Sequence, residues 1–322
     1  MVATITINPL LEYRLYFNKI DIGTTNKSFK YEITCGGKGI NVSRQLNLLN
    51  VKNVALTLLG GNNGKILRRQ LEKEKINFSV VSVKDETRFA SLIIEEDSQT
   101  LTTLFSPNSS FESIEVENFI EKLEKIIKNN SVIVFSGSSP NANANNIFPA
   151  GIELAHKYDK ISILDTYGDH LKDCLSKGPT VYHGNVKEIS GSLKINLNDE
   201  KSKIDFLNEL YGKGIKLAFI TDGANAAYAS KFDFHYKIEN PEIKEIDATG
   251  SGDAFIAGIA YGLENSLVYE EFVKLASALG VANATKWEVC NSTLKEANKF
   301  IDKIKLFPIG KKMKIIDDSP TI

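Results

Sequence analysis

Two glycines flank a serine in Asp247-Ala248-Thr249-Gly250-Ser251-Gly252-Asp253, and the apolar run Ala254-Phe255-Ile256-Ala257-Gly258 follows directly. This pattern reads as a loop entering a helix. A helix start carries unsatisfied backbone N–H groups and the positive end of the peptide dipole, so the loop can cradle a phosphate. A carboxylate beside such a cradle would normally repel an anion. Asp253 is therefore a candidate base that takes a proton from a hydroxyl attacking the phosphorus. As a plain helix-start acid it would contribute only about 0.3–1 kcal/mol through the dipole. That role explains neither glycine.

A second glycine-rich entry is Gly36-Gly37-Lys38-Gly39-Ile40-Asn41-Val42-Ser43-Arg44. Its glycines allow close backbone approach to a ligand, while Lys38 and Asn41 supply polar groups at a helix start. Taken alone it could equally be a structural turn. Gly60 to Lys65 superficially resembles a P-loop, but the glycine spacing fails and Ile66 stands where Ser or Thr would hold magnesium. Asn185 and Glu188 lie one helical turn apart and can face one pocket; alone they also fit an N-cap and a solvated acid.

These residues need elements to position them. The N-terminal strand ends at Asn8-Pro9, and alternating segments follow at 13–18 and 28–34, around the turn-rich Gly23-Thr24-Thr25-Asn26. Helices are predicted over 38–49 and 64–75 with a buried strand at 54–59 between them, then a hairpin at 88–95 and 100–105. Helices over 113–128, 145–157 and 201–211 alternate with strands at 132–135, 161–164, 181–182 and 217–220. The C-terminal third reads as mostly helical, at 252–263, 270–283 and 294–304, and the tail from Gly310 is open between strand and disorder. Alternating strands and helices imply a parallel sheet covered on both faces, with ligands at the carboxyl ends of its strands. The two early β-rich pieces break that rhythm and are expected to form a small projecting lid.

Bulk composition excludes several classes. Of 322 residues, 42% are hydrophobic and 25% charged, with a net charge of −1, so no global field favours nucleic acid or an anionic membrane. Cys35, Cys174 and Cys290 are widely spaced, and the four histidines lack metal-ligand spacing. The longest apolar runs fall short of the ~20 residues of a membrane span, and the first residues lack a basic signal-peptide pattern. Reduced thiols in a cytoplasmic protein are the expectation. A dinucleotide dehydrogenase would need an early Gly-x-Gly-x-x-G followed by an acid some ~20 residues on, which is absent.

Taken together, the two glycine motifs identify a resemblance. The chain resembles the ribokinase-like sugar kinases of the phosphofructokinase B family, most closely the branch holding 1-phosphofructokinase and tagatose-6-phosphate kinase. The branch opens with a strand ending Asn-Pro, here Thr6-Ile7-Asn8-Pro9, and its Gly-Gly-Lys-Gly-x-Asn-Val motif matches Gly36 to Val42. Thr87-Arg88, Ser136-Gly137-Ser138-Ser139-Pro140, Leu164-Asp165-Thr166, Asn185-x-x-Glu188 and Ala282-Asn283-Ala284 follow in the expected order. The resemblance implies a three-layer α/β/α sandwich with a mostly parallel central sheet and a small β lid. The lid would comprise 11–34 and 88–105, inserted into a main domain of 1–10, 35–87 and 106–322.

The resemblance also implies roles. Gly250, Ser251 and Gly252 correspond to an anion hole for the transferring phosphoryl group and Asp253 to the general base. Asn185 and Glu188 would organise the water shell of Mg2+ on ATP; Thr221 and Gly223 would lie against the nucleotide phosphates, and Asn283 near the adenine. On the sugar side stand Glu12, where the family usually has aspartate, with Gly37, Lys38 and Asn41. Arg88 would grip a phosphate already on the sugar, and Lys27 would assist from the lid. The implied activity is ATP-dependent phosphorylation of a ketohexose monophosphate by a homodimer joined through its lids. Ala90, Leu92, Ser106-Pro107-Asn108 and His183-Gly184 depart from the branch pattern, which keeps open a kinase of unphosphorylated sugars or nucleosides. A non-catalytic sugar-phosphate sensor fits the intact Asp253 and glycines less well.

Overall fold

The computed structural model describes residues 1–310; the tail from Lys311 onward lies outside the described residues. The first part of the chain forms β1 (Val2–Thr6), β2 (Leu10–Phe17), β3 (Lys30–Gly36), α1 (Lys38–Leu48), β4 (Asn53–Gly60), α2 (Gly61–Lys73) and β5 (Phe78–Val83). Then come β6 (Phe89–Glu95), β7 (Thr100–Phe105), α3 (Ser113–Lys128), β8 (Val132–Ser136), α4 (Ile147–Lys157), β9 (Ile161–Asp165), α5 (Leu171–Ser176) and β10 (Val181–Asn185). The remainder holds α6 (Val186–Leu193), α7 (Glu200–Gly212), β11 (Leu217–Thr221), β12 (Ala227–Lys231) and β13 (Phe234–Glu239). It ends with α8 (Ser251–Glu264), α9 (Tyr269–Asn283), α10 (Leu294–Ile301) and β14 (Lys305–Ile309).

The large sheet runs β14-β13-β12-β11-β10-β9-β8-β1-β4-β5. From β5 to β11 every pairing is parallel. Strands of such a sheet are buried on both faces and so read as continuous apolar runs; β1, β4 and β8 are buried throughout. Alternate residues feed opposite layers. Val132 and Val134 join a core with Val42 and Leu46 of α1 and the apolar faces of α8 and α9. Ile133 and Phe135 face the other layer, with Phe119 of α3, Phe148 of α4 and Leu207 of α7. This is the expected three-layer sandwich.

The C-terminal third differs from its mostly helical reading: β12, β13 and β14 extend the sheet by antiparallel pairing. These strands are short, and β13 and β14 are only partly buried, so their periodicity is weak and long-range pairing decides them. Edge strand β5 and the short helices α5 and α6 escape the sequence reading for the same reason of length.

A second sheet, ordered β3-β2-β6-β7, is assembled from two hairpins joined by parallel pairing of β2 with β6. Leu10, Ala90 and Leu92 form its own small core. Chain order in the main sheet reverses around β1, which lies between β4 and β8. Such switch points open a crevice at the strand carboxyl ends. No described helix is long and apolar enough to cross a membrane.

Candidate active site

A cavity of about 1360 Å³ opens at this end of the sheet, between the second sheet and the loops after β8 to β11. Its inner wall is the start of α8. Gly250 caps that helix with φ +78°, a left-handed conformation that suits glycine. A Cβ built there would lie 2.2 Å from Val289 Cγ1, so the turn excludes larger residues twice over. The Ser251 N–H donates to the Ala248 carbonyl at 3.0 Å. Among the described residues the N–H groups of Gly250, Gly252 and Asp253 have no protein acceptor. The free donors are thus Gly250, Gly252 and Asp253, rather than the expected Gly250, Ser251 and Gly252.

Asp253 faces the cavity from the first turn of α8 and is 4% exposed. Its Oδ2 accepts from Asn41 Nδ2 at 2.8 Å, a contact spanning 212 residues of sequence. Arg44 Nη1 donates to Asn41 Oδ1 at 2.7 Å, while Arg44 Nε pairs with Glu74, so the amide is held from behind. Burial pushes the Asp253 carboxyl up to about 7, with Asp165 and Glu188 adding to the rise and Lys38 and Asn41 opposing it. A carboxyl titrating near neutrality is suited to general-base work.

Lys38 Nζ reaches Glu188 Oε1 at 2.9 Å and Asp165 Oδ1 at 3.5 Å. Burial alone would lower its pKa, but Asp165, Glu188 and Asp253 lift it well above the usual range. Asp165 is fully buried. Burial opposes its ionisation, yet Lys38, His183 and Ser136 hold its carboxyl well below the ordinary value. His183 Nδ1 lies 2.9 Å from Asp165 Oδ1, Nε2 lies 3.2 Å from Thr221 Oγ1, and the ring stacks on Phe255. The His183 imidazole, one of the departures from the branch pattern, is therefore tied to a carboxylate and turned toward the Thr221 hydroxyl.

At the other end, Arg88 donates through Nη2 to the Asn8 carbonyl at 3.0 Å and through Nη1 to Asn108 Oδ1 at 3.1 Å. Its hydrogen-bond partners among the described residues are all neutral, and burial lowers its pKa. Asn8 Nδ2 bridges Asn108 Oδ1 and Ser138 Oγ. The Ser106-Pro107-Asn108 departure thus supplies a polar link between Arg88 and Asn8. Leu10, Leu92, Thr103 and Phe105 line the same end.

Gly37, Lys38, Asn41, Glu12, Arg88, Asn185, Glu188, Thr221, Gly223 and the Gly250–Asp253 loop all line the one cavity. Two expected residues stand elsewhere. Lys27 is exposed on the β2–β3 connection and is not part of the lining. Asn283 is 1% exposed; its Nδ2 donates to the Thr249 carbonyl and Ser251 Oγ, and its Oδ1 accepts from the Cys290 N–H. It braces the glycine loop from behind and is not part of the cavity lining. Asn185 accepts from the Glu188 N–H at 2.8 Å and so caps α6, which aims Glu188 at Lys38. Sequence reasoning did not assign Asp165, Asn108 or Ser138 to the site, although Leu164-Asp165-Thr166 and Ser136 to Pro140 had signalled their segments.

Comparison with known proteins gives a consistent result. The family described as pfkB family carbohydrate kinase matches residues 9–296. Tagatose-6-phosphate kinase of Staphylococcus epidermidis is 29% identical over 312 residues, covering 96% of this chain and 100% of that protein. Among solved structures, phosphofructokinase-2 from Escherichia coli in complex with potassium superposes with a TM-score of 0.87 at 22% identity, covering 94% of this chain and 98% of that one. The same enzyme in complex with fructose-6-phosphate gives 0.84 at 23% identity over the same shares.

Proposed function

The chain belongs to the pfkB family of carbohydrate kinases, and from that premise we propose that it transfers the γ-phosphoryl group of ATP to a hydroxyl of a ketohexose monophosphate of the fructose 1-phosphate or tagatose 6-phosphate type. One observation carries this reading: a buried carboxyl raised to about 7 stands at a helix start whose N–H groups lack acceptors. Asp253 takes the proton from the sugar hydroxyl, and the Gly250, Gly252 and Asp253 N–H groups meet the charge on the transferred group. Lys38, with its three carboxylate neighbours, fixes the field in which that proton moves.

ATP fits the end of the cavity lined by Thr221, Gly223 and Asn185. Among the described residues no three His, Cys, Asp or Glu side chains converge as a metal cage. Mg2+ therefore suits a position on the nucleotide phosphates, held through water by Glu188 and Asn185. Bound there, it would neutralise phosphate charge. The second sheet supplies a wall that excludes water from the sugar. Three buried free thiols are in keeping with a cytoplasmic location.

Arg88 supports a substrate that already carries a phosphate, since a guanidinium with only neutral partners is free to bind a dianion. Leu10 and Leu92 form an apolar wall beside it, and Leu92 is one of the departures from the branch pattern. That wall favours a second reading, a kinase of unphosphorylated sugars or nucleosides. An ADP-release assay with magnesium-ATP over sugar phosphates and free sugars decides between them. Turnover of ketohexose monophosphates, with Arg88→Ala raising their KM while leaving the KM for ATP unchanged, is the expected result. Activity on free sugars alone would overturn the phosphosugar reading, and no turnover at all would overturn the kinase assignment for this chain.

A further inference from the structure

The two oxygens of the Glu12 carboxylate are used unequally. Oε2 accepts from Arg14 Nε at 3.2 Å, from Arg14 Nη2 at 3.1 Å and from Thr34 Oγ1 at 3.1 Å. Oε1 has no hydrogen-bond partner among the described residues. It lies over Gly36, where a built Cβ would stand 2.2 Å away. The carboxylate can fold back in this way because residue 36 has no side chain. Glu12 lines the cavity beside Gly37 and Lys38.

Arg14 is itself 6% exposed and anchored: its Nη1 donates to the Trp287 carbonyl at 2.8 Å. Residues 12 and 14 of a strand share a face, so a planar guanidinium can grip the neighbouring carboxylate through two N–H groups. Trp287 belongs to the segment that follows α9. The same segment carries Val289, packed on Gly250, and Cys290, whose N–H holds Asn283 behind the phosphate loop. One stretch of chain therefore fixes both Arg14 and the wall of the anion hole.

We propose that Arg14 is a positioning residue for the sugar site: it commits Oε2 of Glu12 and leaves Oε1 as a single directed acceptor for one sugar hydroxyl. The inference rests on the kinase reading above for its ligand. A glutamate has more rotamers than an aspartate, and tying one oxygen removes that freedom before the sugar arrives. The second consequence is selectivity. An acceptor of fixed direction discriminates between sugars that differ in the orientation of one hydroxyl, because the wrong epimer leaves it unpaired.

The test uses whichever sugar of the panel the wild-type enzyme phosphorylates, with Arg14→Met, Arg14→Lys, Glu12→Gln and the double variant Glu12→Gln/Arg14→Met. Arg14→Met should raise the sugar KM about tenfold or more, the loss expected when a charge-assisted contact is loosened. The KM for ATP should stay within a factor of about two, and discrimination between epimeric sugars should shrink. Arg14→Lys should restore part of the loss, and the double variant should cost no more than the worse single one. An unchanged sugar KM, an equal rise in both KM values, or additive losses would overturn the proposal. If Arg14→Met fails to fold, Arg14→Lys and the charge-free double variant carry the same comparison. Which sugar is turned over judges the phosphosugar reading; the Arg14 variants judge this one, so either can fail alone.

Discussion

At the scale of single residues, Asp253 is where chemistry and stability oppose each other. Its carboxyl keeps a proton up to about 7 in the folded protein, whereas an exposed aspartate in the unfolded chain releases it near ~3.9. Between those values the folded state binds the extra proton, so stability falls as pH rises through the window. The same deprotonation creates the base, so kcat/KM should rise over the upper part of that window. Asp253→Asn should lower kcat by about 10²–10⁴-fold and yet melt at a higher temperature than wild type at pH 8. That advantage should shrink toward pH 4, and equal melting curves at both pH values would remove the buried-charge argument. The aspartate and its glycines were legible as a motif. Its raised pKa was not, because the cause is burial, with Asp165 and Glu188 adding to the rise from distant parts of the chain.

At the scale of elements, α8 is apolar nearly all round because it is sandwiched between the sheet and α9. Its crossing with α9 is close at Gly258, where a Cβ would lie 2.5 Å from Ala276 Cα. Backbone cannot yield there as a flexible side chain could. Gly258→Ala should therefore destabilise the protein by about 1–3 kcal/mol, read as a lower urea midpoint with an unchanged slope. Long periodic helices such as α3 announced themselves in sequence, and its capping box of Glu112 and Glu115 fixes the start. The β12–β13 hairpin and β14 did not, because strands of five and six residues, partly buried in β13 and β14, carry little pattern until a neighbour pairs with them.

At the scale of the whole molecule, the four-stranded sheet presents Tyr31 at 68% and Leu104 at 59% exposure, together with exposed Phe29 beside it. A sheet with apolar side chains and open edges in water invites pairing. A second copy of the chain is the proposed occupant, giving a dimer through the lids. Light scattering should report twice the chain mass, and Tyr31→Glu/Leu104→Glu should yield a monomer; a monomeric wild type would refute the dimer. The sequence by itself determined which chemical groups exist and which glycines enter helices, since backbone freedom and side-chain type are local properties. It also carried the α/β rhythm, since strands of about five residues and helices of three turns have distinct periods. Only the tertiary structure decided which oxygen of Glu12 stays open, that Asn283 braces the loop, and that Asp253 holds its proton to near neutrality. Those properties depend on desolvation and on partners far away in the chain, and only folding brings them within hydrogen-bonding distance.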